Sequence, residues 1–193
     1  RDALGQFFET AEGRLEDFTF LDPADNLLRW SEDLTNPVWQ RNALLQVAGG
    51  QLTNAGLAPL RIEQNVSGPG WFRYALSVSA RGTGNERIGL FRATQTLEDL
   101  AVEDVGTAWK RYLLAGQFST TEEGVRFGLQ IEAGQSVEIS GLQVEAQAAA
   151  SVYKKTGARG GVYGQARFAE DGLETTAEGP SQHFCEARIV SRG

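Results

Sequence analysis

Val125-Arg126-Phe127-Gly128-Leu129-Gln130-Ile131 alternates an apolar residue with a polar one or glycine at every step. Phe72-Arg73-Tyr74-Ala75-Leu76-Ser77-Val78 follows the same pattern except at Ala75, with Phe72, Tyr74, Leu76 and Val78 on one side and Arg73, Ser77 and Ser79 on the other. Side chains of a strand alternate across the sheet, so each run is expected to have one buried face and one wet face. Working outward, similar short runs recur at 43–48, 60–66, 71–80, 87–93, 107–118, 125–131 and 136–145. Turn residues separate them: Gly49-Gly50, Ser67-Gly68-Pro69-Gly70, Gly82-Thr83-Gly84-Asn85, Glu122-Glu123-Gly124 and Ala133-Gly134-Gln135. About seven or eight short strands at this spacing predict an antiparallel sandwich.

The rest of the composition bounds the class. The 193 residues are 41% hydrophobic and 22% charged, ordinary values for a folded chain. A net charge of −7 speaks against nucleic acid, whose affinity comes largely from neutralised phosphates. No apolar run approaches the roughly 18 residues of a membrane span, so no membrane partner is expected. One Cys, Cys185, excludes an internal disulfide and a cysteine zinc site, and one His, His183, excludes a histidine pair. The absence of Met suggests a processed product, an expressed segment or a piece of a longer protein.

The flanks differ from the middle. Leu4, Phe7, Phe8 and Ala11 recur at helical spacing before Gly13, predicting a short helix, and 18–21 reads as a strand stopped by Asp22-Pro23. Leu27 to Ser31 is predicted as a strand beside Leu142-Gln143-Val144. The stretch 146–161, small, basic and Gly-rich, reads as a connector. Two closing strands follow, 165–169 and 182–190. Neither flank can form a core alone, so they are expected to pack together with the sandwich inserted between them. The expected boundaries are 1–25, 26–156 and 157–193.

Catalytic signals are sparse. His183 and Cys185 share a strand face, but nothing nearby orients them as a nucleophile and base. The acidic pairs Glu32/Asp33, Glu98/Asp99, Glu103/Asp104 and Glu122/Glu123 read as loop charge rather than a facing carboxylate pair. Glu32 and Glu145 would be the candidates for a glycosidase or lyase, and no catalytic residue is assigned. Asp25, Asn26, Glu32 and Glu145 are the candidate ligands of a structural calcium ion, if the first and last strands of the sandwich are neighbours. No other cofactor is expected. Of the aromatics, Trp39 and Trp109 read most strongly as plugs of the core. Trp71 with Arg73, and Arg126 with Gln130, lie on predicted wet faces. A tryptophan face and planar polar side chains suit a sugar, so these four are the candidate carbohydrate-binding residues.

Asn26-Leu-Leu-Arg-Trp-Ser-Glu-Asp-Leu-Thr-Asn-Pro-Val-Trp39 resembles the opening of the carbohydrate-binding-module-like jelly rolls of phage tail and head-fibre proteins. Trp109-Lys-Arg-Tyr112, Val125-Arg-Phe-Gly128 and Ile139-Ser-Gly-Leu-Gln-Val-Glu-Ala146 are similar to later strands of that type. The likeness covers about residues 26–156. The flanking string Phe7-Phe8-Glu-x-x-x-Gly13-Arg14-Leu-Glu-Asp-Phe18-x-Phe20-x-Asp22-Pro-Ala-Asp25 resembles the distal-tail family of siphophages and gene transfer agents, as do Ala166 to Glu174 and Glu186 to Val190. These resemblances imply a mainly β protein, a jelly-roll sandwich inserted in a small α+β tail segment. They also imply a structural, non-enzymatic component of a virion tail tip or baseplate. Its partners would be other tail proteins and itself in a ring, with the jelly roll contacting cell-surface glycan. The alternative is a carbohydrate-binding module of a secreted glycan-active protein.

Overall fold

The computed structural model describes residues 18–169 and 172–175. The helix expected at 4–13 and the strand expected at 182–190, with His183 and Cys185, lie outside the described residues. Every regular element among the described residues is a strand. In chain order they are β1 (Phe18–Leu21), β2 (Gln40–Arg41), β3 (Leu45–Ala48), β4 (Gln51–Asn54), β5 (Leu60–Pro69), β6 (Tyr74–Arg81) and β7 (Glu86–Ala93). Then come β8 (Glu98–Val105), β9 (Lys110–Gly116), β10 (Glu123–Ile131), β11 (Ser136–Glu145), β12 (Val162–Ala169) and β13 (Gly172–Thr175).

Two compact units divide at Leu21/Asp22 and Gly161/Val162. In the smaller, an antiparallel sheet of order β1-β12-β13 pairs Leu21 with Val162 and Phe18 with Ala166. The rings of Phe20 and Tyr163 lie 6.0 Å apart within it. The larger unit, Asp22–Gly161, is an antiparallel sandwich of two five-stranded sheets, ordered β2-β5-β10-β7-β8 and β3-β4-β11-β6-β9.

The core of the sandwich is the inward set of the alternating strands. Ile62 and Val66 of β5, Ile88 and Leu90 of β7, and Phe127, Leu129 and Ile131 of β10 face Leu76 and Val78 of β6 and Val137 and Val144 of β11, all of them buried. Tyr74 meets Phe127 edge to face at 5.2 Å and donates its hydroxyl to the Pro69 carbonyl at 3.0 Å. Burial pushes that hydroxyl's pKa up. The β3–β4 hairpin turns on Gly49 and Gly50, both at positive φ (55° and 84°), the backbone of the tight hairpin turn whose twist matches its strands.

Residues 27–31 form no strand, because Trp30 sits in the left-handed region (φ 52°), where a strand cannot continue. The segment is nonetheless beside β11, since Leu27 N–H donates to the Val144 carbonyl at 2.7 Å. Residues 146–156 are no loose connector; they lie across the outer face of the second sheet. Arg111 donates to the Ser151 carbonyl at 2.7 Å and to Ser77 Oγ at 2.8 Å, and Lys154 N–H donates to Gln143 Oε1 at 2.7 Å. The expected wet face of β6 is therefore partly covered, with Ala75 and Ser77 buried and Ser79 half-buried. Finally, Glu98/Asp99 and Glu103/Asp104 lie in a strand, β8, and not in a loop. An edge strand tolerates such charge and is protected from further pairing by it.

Candidate functional site

Register places the outer face of the β2-β5-β10-β7-β8 sheet in three cross-strand rows. The first is Arg61–Gln130–Gly89–Val102, the second Glu63–Gly128–Phe91–Leu100, and the third Asn65–Arg126–Ala93–Glu98. Glycine or alanine stands on the central strands in every row, so the middle of the face is low. Phe91 fills that floor. A Cβ on Gly128 would lie 2.9 Å from the Phe91 ring, and one on Gly89 would lie 2.9 Å from both Leu100 Cδ1 and Gln130 Cβ.

Arg61 crosses this floor diagonally. Its Nη1 and Nη2 donate to the two carboxylate oxygens of Glu98 at 2.8 and 2.7 Å. Strands β5 and β8 are three spacings apart, about 14 Å at the usual separation, so the pair spans β10 and β7 to the edge strand β8. The guanidinium lies 4.5 Å above the Phe91 ring centre, and Arg61 Nε also donates to Gln130 Oε1 at 2.9 Å. Phe91, on the solvent side of its strand, is thereby fully buried. The hydrogen bonds from Arg61 hold the Glu98 carboxyl below the usual carboxylate range, and Arg61 is correspondingly raised. A depressed carboxyl is the reverse of what a general acid at neutral pH requires.

Two further arginines on the face also have acidic neighbours. Arg126 Nη1 is 3.2 Å from Glu63 Oε1, and Arg87 Nε is 3.4 Å from Asp104 Oδ1. Arg126 also donates to the Thr94 carbonyl at 3.4 Å. Beside Thr94 sits Gly70, where a Cβ would meet Thr94 Cγ2 at 2.9 Å. The turn carrying exposed Trp71 and Arg73 is thus packed on the loop that holds Arg126. Both residues precede β6 rather than lying on its wet face. Of the four candidate sugar residues, Arg126 and Gln130 share the sheet's outer face, while Trp71 and Arg73 border the end at which Arg126 stands. Gln130 is largely covered, by Arg61. Trp39 is buried, but Trp109 is 46% exposed beneath the Arg81 guanidinium, so it plugs nothing.

The residues proposed for calcium do not form one cluster. Asn26 makes four hydrogen bonds to backbone. Its Nδ2 donates to the carbonyls of Leu142 and Lys154, both at 3.1 Å, and its Oδ1 accepts from the N–H groups of Leu28 and Val144, both at 3.1 Å. Buried Glu145 accepts from Ser151 N–H at 3.0 Å and Gln147 Nε2 at 2.8 Å. Glu32 is elsewhere, paired with Lys155 at 2.6 Å on the rim of a recess of about 200 Å³ beside the Gly49-Gly50 turn. No group of three or more acidic, His or Cys side chains able to hold a metal occurs among the described residues.

Arg61, Phe91 and Glu98 were not among the candidates. The signal for Phe91 lies in β7 itself. Ile88 and Leu90 set the core parity, which leaves Phe91 on the opposite side with Arg87 and Gly89.

No family model matches the chain, and no curated protein matches its sequence. Solved structures do. The enzymatically active domain of bacteriophage CBA120 tailspike protein 4 superposes with a TM-score of 0.50 at 13% identity, over 65% of this chain and 22% of that one. TmCBM61, in complex with β-1,4-galactotriose, gives 0.48 at 13%, over 63% of this chain and 99% of that one. The CBM22-1 xylan-binding domain of Paenibacillus barcinonensis Xyn10C gives 0.47 at 14%, over 65% and 97%. At 13% identity the tailspike likeness bears on architecture alone: the middle of the chain is an antiparallel jelly-roll β-sandwich.

Proposed function

We propose that this chain is a non-catalytic carbohydrate-binding protein whose ligand lies along the outer face of the β2-β5-β10-β7-β8 sheet. The observation that carries the reading is the difference between the two outer faces. The other sheet is covered by the chain itself, residues 146–156, whereas over this one only side chains, those of Phe91 and Arg61, lie on the low floor of Gly89, Gly128 and Ala93. A shallow trough with a few convergent polar groups suits a chain of hydroxyl-bearing rings. Arg126 and Asn65, both exposed, supply hydrogen bonds, and Trp71 with Arg73 extends the surface at one end. The test is a glycan array followed by titration calorimetry on the full chain. Binding that Arg126→Ala weakens at least threefold supports the reading, and an array with no hit contradicts it.

A tail-tip setting has its own support. The β1–β12 pairing brings together the two flanking segments that resemble the distal-tail family. On this reading the chain is a virion component meeting neighbouring tail proteins and copies of itself in a ring. The secreted-module setting is about equally supported. Light scattering on the full chain separates them, a closed ring favouring the tail and a monomer the secreted module.

A further inference from the structure

Resting on the reading of this face as a glycan site, we propose that the Arg61–Glu98 pair is a roof that must open before a neutral glycan can stack on Phe91. An aromatic ring on the outer side of a sheet ordinarily meets water. Phe91 does not, because Gly128 leaves it room to lie low and the Arg61 guanidinium lies over it at 4.5 Å. The guanidinium occupies the place that the apolar face of a pyranose would take. Water reaches the pair, since the Arg61 and Glu98 side chains are 30% and 42% exposed, so solvent and salt compete with it despite its two-point geometry. Opening needs only two side chains to rotate, with no backbone movement.

The ligand class follows from charge. Arg61, Arg87 and Arg126 already face Glu98, Asp104 and Glu63, so an acidic sugar finds these three cations on the sheet face already matched. The whole chain, at −7, adds repulsion. A site whose competent form is only partly populated binds more weakly by that fraction, so the roof lowers apparent affinity.

Titration calorimetry on the full chain, with cellotriose, xylohexaose and β-1,4-galactotriose as probes, tests this. Glu98→Gln and Arg61→Ala should each tighten binding of whichever probe the wild type takes, by about three- to tenfold. Raising NaCl from about 0.05 to about 0.5 M should tighten the wild type and leave Glu98→Gln unchanged, since salt screens the pair. If Arg61→Ala does not fold, Glu98→Gln and the salt series decide. Binding that is weakened or unaltered in the variants rejects the roof and leaves the glycan reading standing. No binding by wild type or Glu98→Gln rejects both.

Discussion

Glu98 and Asp99 are consecutive in β8, yet each holds an arginine on a different side of the sheet. Glu98 reaches Arg61 across the outer face, and Asp99 takes Arg92, which points into the sandwich with 4% of its surface exposed. The alternation of a strand alone separates the two carboxylates, so they cannot act as a catalytic pair.

The inner pair is the riskier one for stability. Arg92 lies 4.6 Å over the Phe118 ring, and its Nη1 is buried without a hydrogen-bond partner. Asp99→Ala would leave a charge inside the sandwich. We expect a loss of about 1–3 kcal/mol in urea unfolding, discounted from the fully buried case because Asp99 is partly wet. Arg92→Met combined with Asp99→Leu should recover most of it. An Asp99→Ala protein as stable as wild type would contradict this account of Arg92.

Asn26 ties the opening segment to β11 and to residues 146–156 at once. Asn26→Ala strands two buried N–H groups, of Leu28 and Val144, besides two carbonyls. The expected cost is about 2–4 kcal/mol in the same unfolding measurement. A cost under about 0.5 kcal/mol would show that the tie is not needed.

Gly128 should not accept a side chain. A Cβ there would collide with the Ile62 carbonyl oxygen and come 2.9 Å from Glu63 Cα, both backbone atoms of the paired strand. Gly128→Ala is expected to abolish cooperative unfolding or lower the midpoint severely. Gly106→Ala, where a Cβ meets nothing within 4 Å, is the control and should change little. Equal midpoints for the two would overturn the packing described for the floor.

Glu86 closes the β6–β7 turn. Its carboxylate accepts from Thr83 Oγ1 at 2.6 Å and from the N–H groups of Thr83 and Gly84 at 2.7 and 3.0 Å. These bonds, that from the Thr83 hydroxyl foremost, lower its pKa to about 2. A depressed carboxyl stabilises the fold above its unfolded pKa of about 4.3, and that contribution fades as pH falls toward the folded value. Carbon-detected NMR should give a Glu86 midpoint near 2, moving up in Thr83→Ala. A midpoint above 4 in the wild type would refute the capped turn.

The fold was legible because strand alternation is a local property. The runs at 125–131 and 136–145 needed only their own residues to be read, and both match strands of the sandwich. What failed depended on distant partners. Nothing local in Leu27 to Ser31 announces that Trp30 turns left-handed, with its N–H donating to the Gly157 carbonyl at 2.8 Å. Ser77 looks like a solvent residue until residues 146–156 cover it. The site suffered most. Arg126 could be placed by parity, but the Arg61–Glu98 bridge joins residues 37 apart in the chain on strands with two others between them in the sheet. Only the strand order reveals it.

The central claim, that glycan lies on this face, is tested most directly by amide and arginine side-chain NMR during titration with xylohexaose, cellotriose and β-1,4-galactotriose. Saturable shifts centred on Arg61, Gly89, Phe91, Arg126 and Gly128 are predicted. Shifts that map instead to the covered sheet around Ser77 and Gln143, or no shifts with any of the three sugars, would contradict it.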